Sequence, residues 1–388
     1  MRITGIRHLR VPLEGNVSNA MVSFADHDVS LVAVASDVVR DGRRVTGIAF
    51  NSIGRYAQPG LIDERFAPRL LAAPAESLLD GSGSRFDPAA IGALLMRNEK
   101  PGGHGDRAGA VAALELAIWD LNAKLEGVPA ADLIAREFGR AATRPGVPVY
   151  AAGGYYRDEY GTSALTEELA GYRDAGYGVF KIKIGGALLA DDLRRIEAAL
   201  TVTRDPSQLA VDANGRFDLD TALSYGKELE PYSLAWYEEP GDPLDYDLNR
   251  AVAEIYSGPI ATGENLFSRR DATNLVRHGG MRPGLDVFQM DAGISYGLTE
   301  YAGMIADLES AGHSRTQARP HGGHLINLHI VHGLELGGCE AYPGVFQPFG
   351  GYSPGVEVVD GRIAPTAAPG FGLEEKPELR PLISRLLG

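Results

Sequence analysis

Six residues able to move protons or hold a cation recur along this chain at a nearly constant stride, each at the end of a short apolar run. Lys183 closes residues 179–183, Asp212 closes 209–212 and Glu238 closes 234–238. Glu264 follows 259–263, Asp291 closes 287–291, and His321 sits just after Arg319 and Pro320. The successive gaps are 29, 26, 26, 27 and 30 residues. A strand, a crossover helix and two loops take about that length, so the stride predicts a (β/α) barrel. All strands of such a barrel point the same way, and their C-terminal ends meet at one mouth. Reactive side chains gathered there predict an enzyme.

Asp212, Glu238 and Glu264 carry the sharpest signal. Taken singly, an acid at a strand end is as readily a helix N-cap. Three on successive strand ends would converge, repel one another and raise one another's pKa values. A hard divalent cation resolves that conflict, and an all-oxygen ligand set suits one Mg²⁺ per subunit. Asn214 and Asn265 stand close enough in sequence to hydrogen-bond the ligands. Lys181 and Lys183 alternate onto one face of their strand. Neighbouring ammonium groups beside a dication are expected to lower the lysine pKa, which would make Lys183 a general base. Asp291 is placed to fix the tautomer of His321 and to stabilise its charged form. His324 and His329 read as structural. Glu340, where an eighth strand would end, suits either a substrate hydrogen bond or plain packing. The loop 98–106 is rich in glycine and carries Lys100, a cation for an acidic substrate or part of an ordinary helix-entry turn.

The elements that must position these residues fall into three parts. Residues 1–140 predict an α+β domain: strands at 3–12, 20–24, 30–36 and 45–50, then helices at 61–72, 88–96 and 109–125. Arg40-Asp41-Gly42-Arg43 predicts a hairpin turn. Strand and helix alternate over 147–341, the barrel. The Pro- and Gly-rich tail, 342–388, is expected to wrap back over the first domain. A formal charge of −14 over 388 residues argues against a nucleic-acid surface. Cys339 is the single cysteine, so neither a disulfide nor a cysteine zinc site can form within the chain. No signal-peptide pattern and no apolar run of membrane-spanning length is present, which gives a cytoplasmic expectation.

Lys181-Ile-Lys183, Asp212-Ala-Asn214, Glu238-Glu-Pro240, Gly263-Glu264-Asn265 and the Asp291–His321 pair resemble the mandelate racemase subgroup of the enolase superfamily, whose lysine or histidine bases and Mg²⁺ ions are a known pattern. The resemblance runs along essentially the whole chain. It implies a modified (β/α)7β TIM-type barrel with an N-terminal α+β capping domain completed by the C-terminal tail, and a homo-oligomer. The loop 98–106, the runs 150–155 and 241–246, Pro320-His321-Gly-Gly-His324 and 346–351 are similar to the D-tartrate dehydratases within that subgroup. That likeness implies Lys183 as base, His321 as acid and Lys100 as a substrate-binding lysine; Tyr155, at the end of the run 150–155, and Glu340, by its position, are the other substrate-binding candidates. The implied reaction is Mg²⁺-dependent: Lys183 removes the α-proton, Lys181 and the metal stabilise an enediolate, and His321 assists loss of the β-hydroxyl. From D-tartrate the product is oxaloacetate. Racemisation or epimerisation, or dehydration of another acid sugar, is open on the same residues, as is a catalytically silent barrel that binds a metal and an acid sugar.

Overall fold

The structure, a computed structural model, describes residues 1–15, 17–141, 146–156 and 161–388. The expected boundary between 140 and 147 runs through 142–145, outside the described residues. Three antiparallel strands open the chain: β1 (Ile3–Pro12), β2 (Asp28–Arg40) and β3 (Arg43–Phe50), in that order across the sheet. Asp41 and Gly42 join β2 to β3 with φ of 49° and 72°. Two successive left-handed residues match the twist of a two-residue hairpin, as the turn sequence predicts. The expected strand at 20–24 does not form. Only an isolated bridge from Ser18 to Ser23 is present, because Asn19 turns the chain by accepting the backbone N–H groups of Met21 and Val22.

The sheet packs on a long helix, Gly105–Glu126, whose residues 108 to 123 are all buried. Asp120 fixes the two together by accepting Ile48 N–H at 2.7 Å. The helix expected at 61–72 is present but contains a π turn, Ile62–Phe66, flanked by α-helical Pro59–Leu61 and Ala67–Leu71.

The parallel strands are β4 (Val147–Ala152), β5 (Phe180–Lys183), β6 (Leu209–Asp212), β7 (Tyr237–Glu238), β8 (Ile260–Thr262), β9 (Val287–Phe288) and β10 (Cys339–Ala341). Each pairs with the next from β4 to β9, and β10 pairs with β4. The ring closes through a single parallel bridge from Phe288 to Ala318, with Gly337 N–H bonding Ala318 O at 2.9 Å. Gly337 is required at that seam, since a Cβ there would lie 1.8 Å from Thr316 O. Tyr150, Ala210, Trp236, Ala261 and Val287 form a separate apolar cluster inside the barrel, a packed floor beneath the strand ends.

The tail does more than wrap the first unit. Arg362–Ile363 pairs antiparallel with β4, then Phe371 N–H bonds Asp120 at 2.6 Å. The last helix, Arg380–Leu387, packs on β1 and β2 and turns Ile383 and Leu386 inward. No helix among the described residues is long and apolar enough to cross a membrane.

Candidate active site

Register brings the sequence-spaced residues side by side. Lys183 is the strand partner of Asp212, and Asp212 is the partner of Glu238. Neighbouring strands lie about 4.8 Å apart, so the regular stride becomes a row of charged groups on the inner face. Asp212 and Glu238 are fully buried, as are Lys181 and Lys183 within a few per cent.

The lysines sit on the carboxylates. Lys183 Nζ lies 2.5 Å from Asp212 Oδ2. Lys181 Nζ lies 2.5 Å from Glu238, 2.8 Å from Glu340 and 3.6 Å from Asp212. The charge on the lysines corrects the sequence reading. No group of three acids among the described residues has its oxygens gathered at metal-ligand spacing, because the ammonium of Lys181 is inserted between Asp212 and Glu238. The lysine pKa values are raised, not lowered. Burial opposes the charge on each, but Glu238 and Glu340 outweigh it at Lys181, and Asp212 does so at Lys183.

The acids feel the same crowding. Burial raises Asp212, yet Lys183 and Lys181 prevail and bring it down to about 2. Glu238 is pushed up to about 8 by burial and by Asp212. Trp236 Nε1 and Gln289 Nε2 donate to its Oε2 at 2.7 and 2.8 Å. Glu264 is half-buried, and its charge acts on Glu238 and on His321. Asn214 donates its backbone N–H and its Nδ2 to Asp212, as its place in sequence suggests. Asn265 instead donates to Glu239, at 2.9 Å.

Glu239 is the acid that sequence reasoning missed. Strand alternation would send it away from Glu238, but its φ of 40° breaks the strand. It is buried and strongly raised by burial, Glu264 and Asp212, so it belongs to the same cluster. The doublet ahead of Pro240 was its only signal.

His321 and Asp291 pair as expected, with Nδ1 3.2 Å from Oδ2. Gly293 N–H and the Ser52 side chain also bond Asp291. His321 is buried, which disfavours its charge, but Glu264, the Asp291 hydrogen bond and Glu340 hold its pKa up at about 9. Its Nε2 contacts the Tyr342 hydroxyl at 3.0 Å, a partner with no periodic signal in the sequence. His324 caps the helix Leu325–Leu334 and contacts Ser52, and His329 accepts the N–H of Ala131. Burial lowers them to about 4 and about 3, which leaves both neutral supports.

Glu340 is ionised and fully engaged, bonding Lys181 through Oε1 and Gly322 N–H through Oε2. Tyr155 is buried, with Lys183 Nζ 5.2 Å from its ring centroid and Phe346 edge-on at 5.8 Å. Lys100 is not brought to the cluster. It is exposed, and Arg107 bonds its carbonyl in a loop whose His104 and Arg107 anchor on the Tyr296 hydroxyl. The first unit instead delivers the 51–58 loop. A Cβ on Gly54 would lie 3.7 Å from the His321 ring, and Arg55 donates to Asn265 at 2.5 Å.

The donor chemistry fits a hard cation. Buried Glu238 and Glu239 stand with raised pKa values although two lysines are at hand, and the Oδ1 of Asn214, next to Asp212, is buried without a partner. Carboxylate oxygens in that excess are the ligands that Mg²⁺ prefers.

Residues 164–379 match the family model described as enolase C-terminal domain-like. Among characterised proteins, L-talarate/galactarate dehydratase of Salmonella typhimurium is 32% identical over 238 residues, covering 61% of this chain and 56% of that one. The chain thus spans little more than half of that relative. The 3,6-anhydro-alpha-L-galactonate cycloisomerase of Streptomyces coelicolor is 26% identical over 94% of both chains. Among solved structures, L-talarate dehydratase of Polaromonas sp. JS666, complexed with Mg and L-glucarate, superposes with a TM-score of 0.78. It is 25% identical, over 97% of this chain and 95% of its own.

Proposed function

The chain belongs to the enolase C-terminal domain-like family, on the mandelate-racemase-like branch of the enolase superfamily, and on that footing we propose that it is a Mg²⁺-dependent acid-sugar dehydratase. Relatives that dehydrate talarate, galactarate, arabinonate and galactonate support this reading. The observation that carries it is His321. Its Nδ1 is held by Asp291 at 3.2 Å and its Nε2 meets the Tyr342 hydroxyl, and these acidic surroundings raise its pKa, which suits an acid that must hand a proton to a leaving hydroxyl. A racemase would need the same imidazole neutral for half of its reaction cycle.

The proposed roles follow. Asp212, Glu238 and Glu264 would hold the magnesium, with Glu239 beside them. The chemistry the ion supplies is polarisation of a substrate carboxylate, which acidifies the α-carbon. Lys183 accepts the α-proton, and for that it must first give up its contact with Asp212. His321, oriented by Asp291 and the Tyr342 hydroxyl, donates a proton as the β-hydroxyl leaves as water. Tautomerisation of the enol then gives a 2-keto acid. Lys181 and Glu340, each bonded on several sides, position the cluster. Tyr155 walls the pocket, and Lys100 reaches a substrate only if its loop moves.

D-tartrate, giving oxaloacetate, is the substrate we favour. The likeness of the loop 98–106 and of the runs 150–155, 241–246 and 346–351 to the D-tartrate dehydratases supports that choice, and Tyr155 of the second run stands beside Lys183. The same reading carries a cytoplasmic homo-oligomer, with 1–140 and 342–388 capping the 147–341 barrel. The test is a 2-keto-acid assay of the Mg²⁺-loaded protein with D-, L- and meso-tartrate and with galactarate. Product from D-tartrate alone supports both levels. Product from galactarate instead keeps the reaction and discards tartrate, and epimerised substrate without keto acid discards dehydration.

A further inference from the structure

The opposite end of the barrel holds a cation that the proposed chemistry leaves unused. Arg319 follows the bridged residue Ala318 and stands with Val179, Leu234 and Pro259, which lead into the N-terminal ends of their strands. Its guanidinium lies over the Trp236 ring, 5.4 Å from the centroid. No carboxylate among the described residues pairs with it, and its Nε is buried without a hydrogen-bond partner. The Tyr150 hydroxyl, whose ring meets Trp236 edge-on at 5.0 Å, is also buried and unpartnered. These groups line or back a cavity of about 490 Å³, walled by Val179, Leu234, Trp236, Pro259 and Val287. The nearest acid on its rim, Glu230, is occupied by the backbone N–H and hydroxyl of Ser257.

A largely desolvated guanidinium with no counter-charge is costly to keep. A stacked guanidinium still presents its N–H edge, and that edge matches two oxygens of one anion. We propose that this cavity is a binding site for a small oxyanion, held bidentately by Arg319 against the indole of Trp236. The site also has a route to that cluster, because the same indole donates to Glu238 at 2.7 Å. An anion that shifts Arg319 would therefore be felt at Glu238. This inference does not depend on the reaction proposed above.

Trp119 and Trp236 are the only tryptophans, so Trp119→Phe leaves Trp236 as the sole reporter. The experiment titrates that full-length, Mg²⁺-loaded variant with sulfate and, separately, acetate, at ionic strength held constant with chloride. A saturable change in Trp236 emission is expected. Saturation by sulfate alone marks a tetrahedral oxyanion, by acetate alone a carboxylate, and by both a site that takes either. Adding Arg319→Gln should raise the half-saturating concentration roughly tenfold or more, the usual cost of losing a charge-assisted hydrogen bond. If that variant does not fold, Arg319→Lys keeps the charge but loses the fork, and several-fold weakening is expected. No saturation with either anion, or a response that survives replacement of Arg319, would overturn the proposal.

Discussion

Replacing Asp291 with Asn should remove part of what keeps His321 protonated. In the folded protein His321 titrates at about 9, against 6.5 for the free side chain. That gap, at about 1.36 kcal/mol per pH unit, corresponds to ~3 kcal/mol. The folded state binds the proton more tightly, so this stabilisation is complete below pH 6.5 and is lost as the pH rises through about 9. Burial opposes the charge, while Glu264, the Asp291 hydrogen bond, Glu340 and the Asp291 charge favour it. Asp291→Asn deletes the Asp291 charge, leaves only a neutral acceptor for the hydrogen bond, and keeps the burial in place. The His321 pKa should therefore fall well below 9. Histidine NMR titration of the metal-free protein reads this directly. Two further signs should accompany it: wild type loses more stability than His321→Asn between pH 6 and pH 10, by up to ~3 kcal/mol, and the alkaline limb of any dehydratase activity moves to lower pH in Asp291→Asn. An Asp291→Asn protein whose His321 still titrates near 9 would refute the dyad's share in holding that charge.

Lys183→Ala should slow exchange of the substrate α-proton with deuterated solvent by at least ~10²-fold, the lower end of what a general base contributes. Exchange at the wild-type rate, followed by NMR, would remove Lys183 from that role. Added Mg²⁺ should raise the melting temperature, by the equivalent of ~2.7 kcal/mol at a hundred times its dissociation constant, and Asp212→Asn should abolish that rise in a thermal scan. Gly47→Ala places a Cβ 1.9 Å from Ala117 O, where β3 meets the long helix. Overpacking there should cost about 1–3 kcal/mol, seen as a lower urea midpoint, and an unchanged midpoint would contradict the packing described.

What the sequence made legible was whatever depends on period. The stride from Lys183 to His321 reports strand register, because each βα unit costs a nearly fixed length of chain, and register set Lys183, Asp212 and Glu238 side by side. Alternation likewise put Lys181 with Lys183. Left-handed backbone defeats period, and Glu239 was lost that way. Lys100 was overread for a related reason: glycines announce a loop that can approach a ligand, but not which way its neighbour points. Tyr342, Gly54 and Arg55 carry no chemistry-bearing motif, and only long-range packing brings them to His321 and Asn265. The seam at Ala318 was invisible because one bridged residue is too short to leave an apolar run.

The sign of the lysine shifts turns on which charges are nearest, and spacing alone favours the wrong ones. Lys181 and Lys183 are neighbours on one face, which suggests mutual depression. Yet Asp212, 2.5 Å from Lys183, outweighs the second ammonium. The same Oδ2 lies 3.6 Å from Lys181. Asp212 therefore faces competing claims on one oxygen, and on the proposed roles a cation ligand cannot also keep Lys183 charged through that atom. A base that is masked by its own ligand residue is available only once that residue is engaged elsewhere. The lysine that the sequence reading left neutral by repulsion is, on this geometry, left neutral by losing its partner.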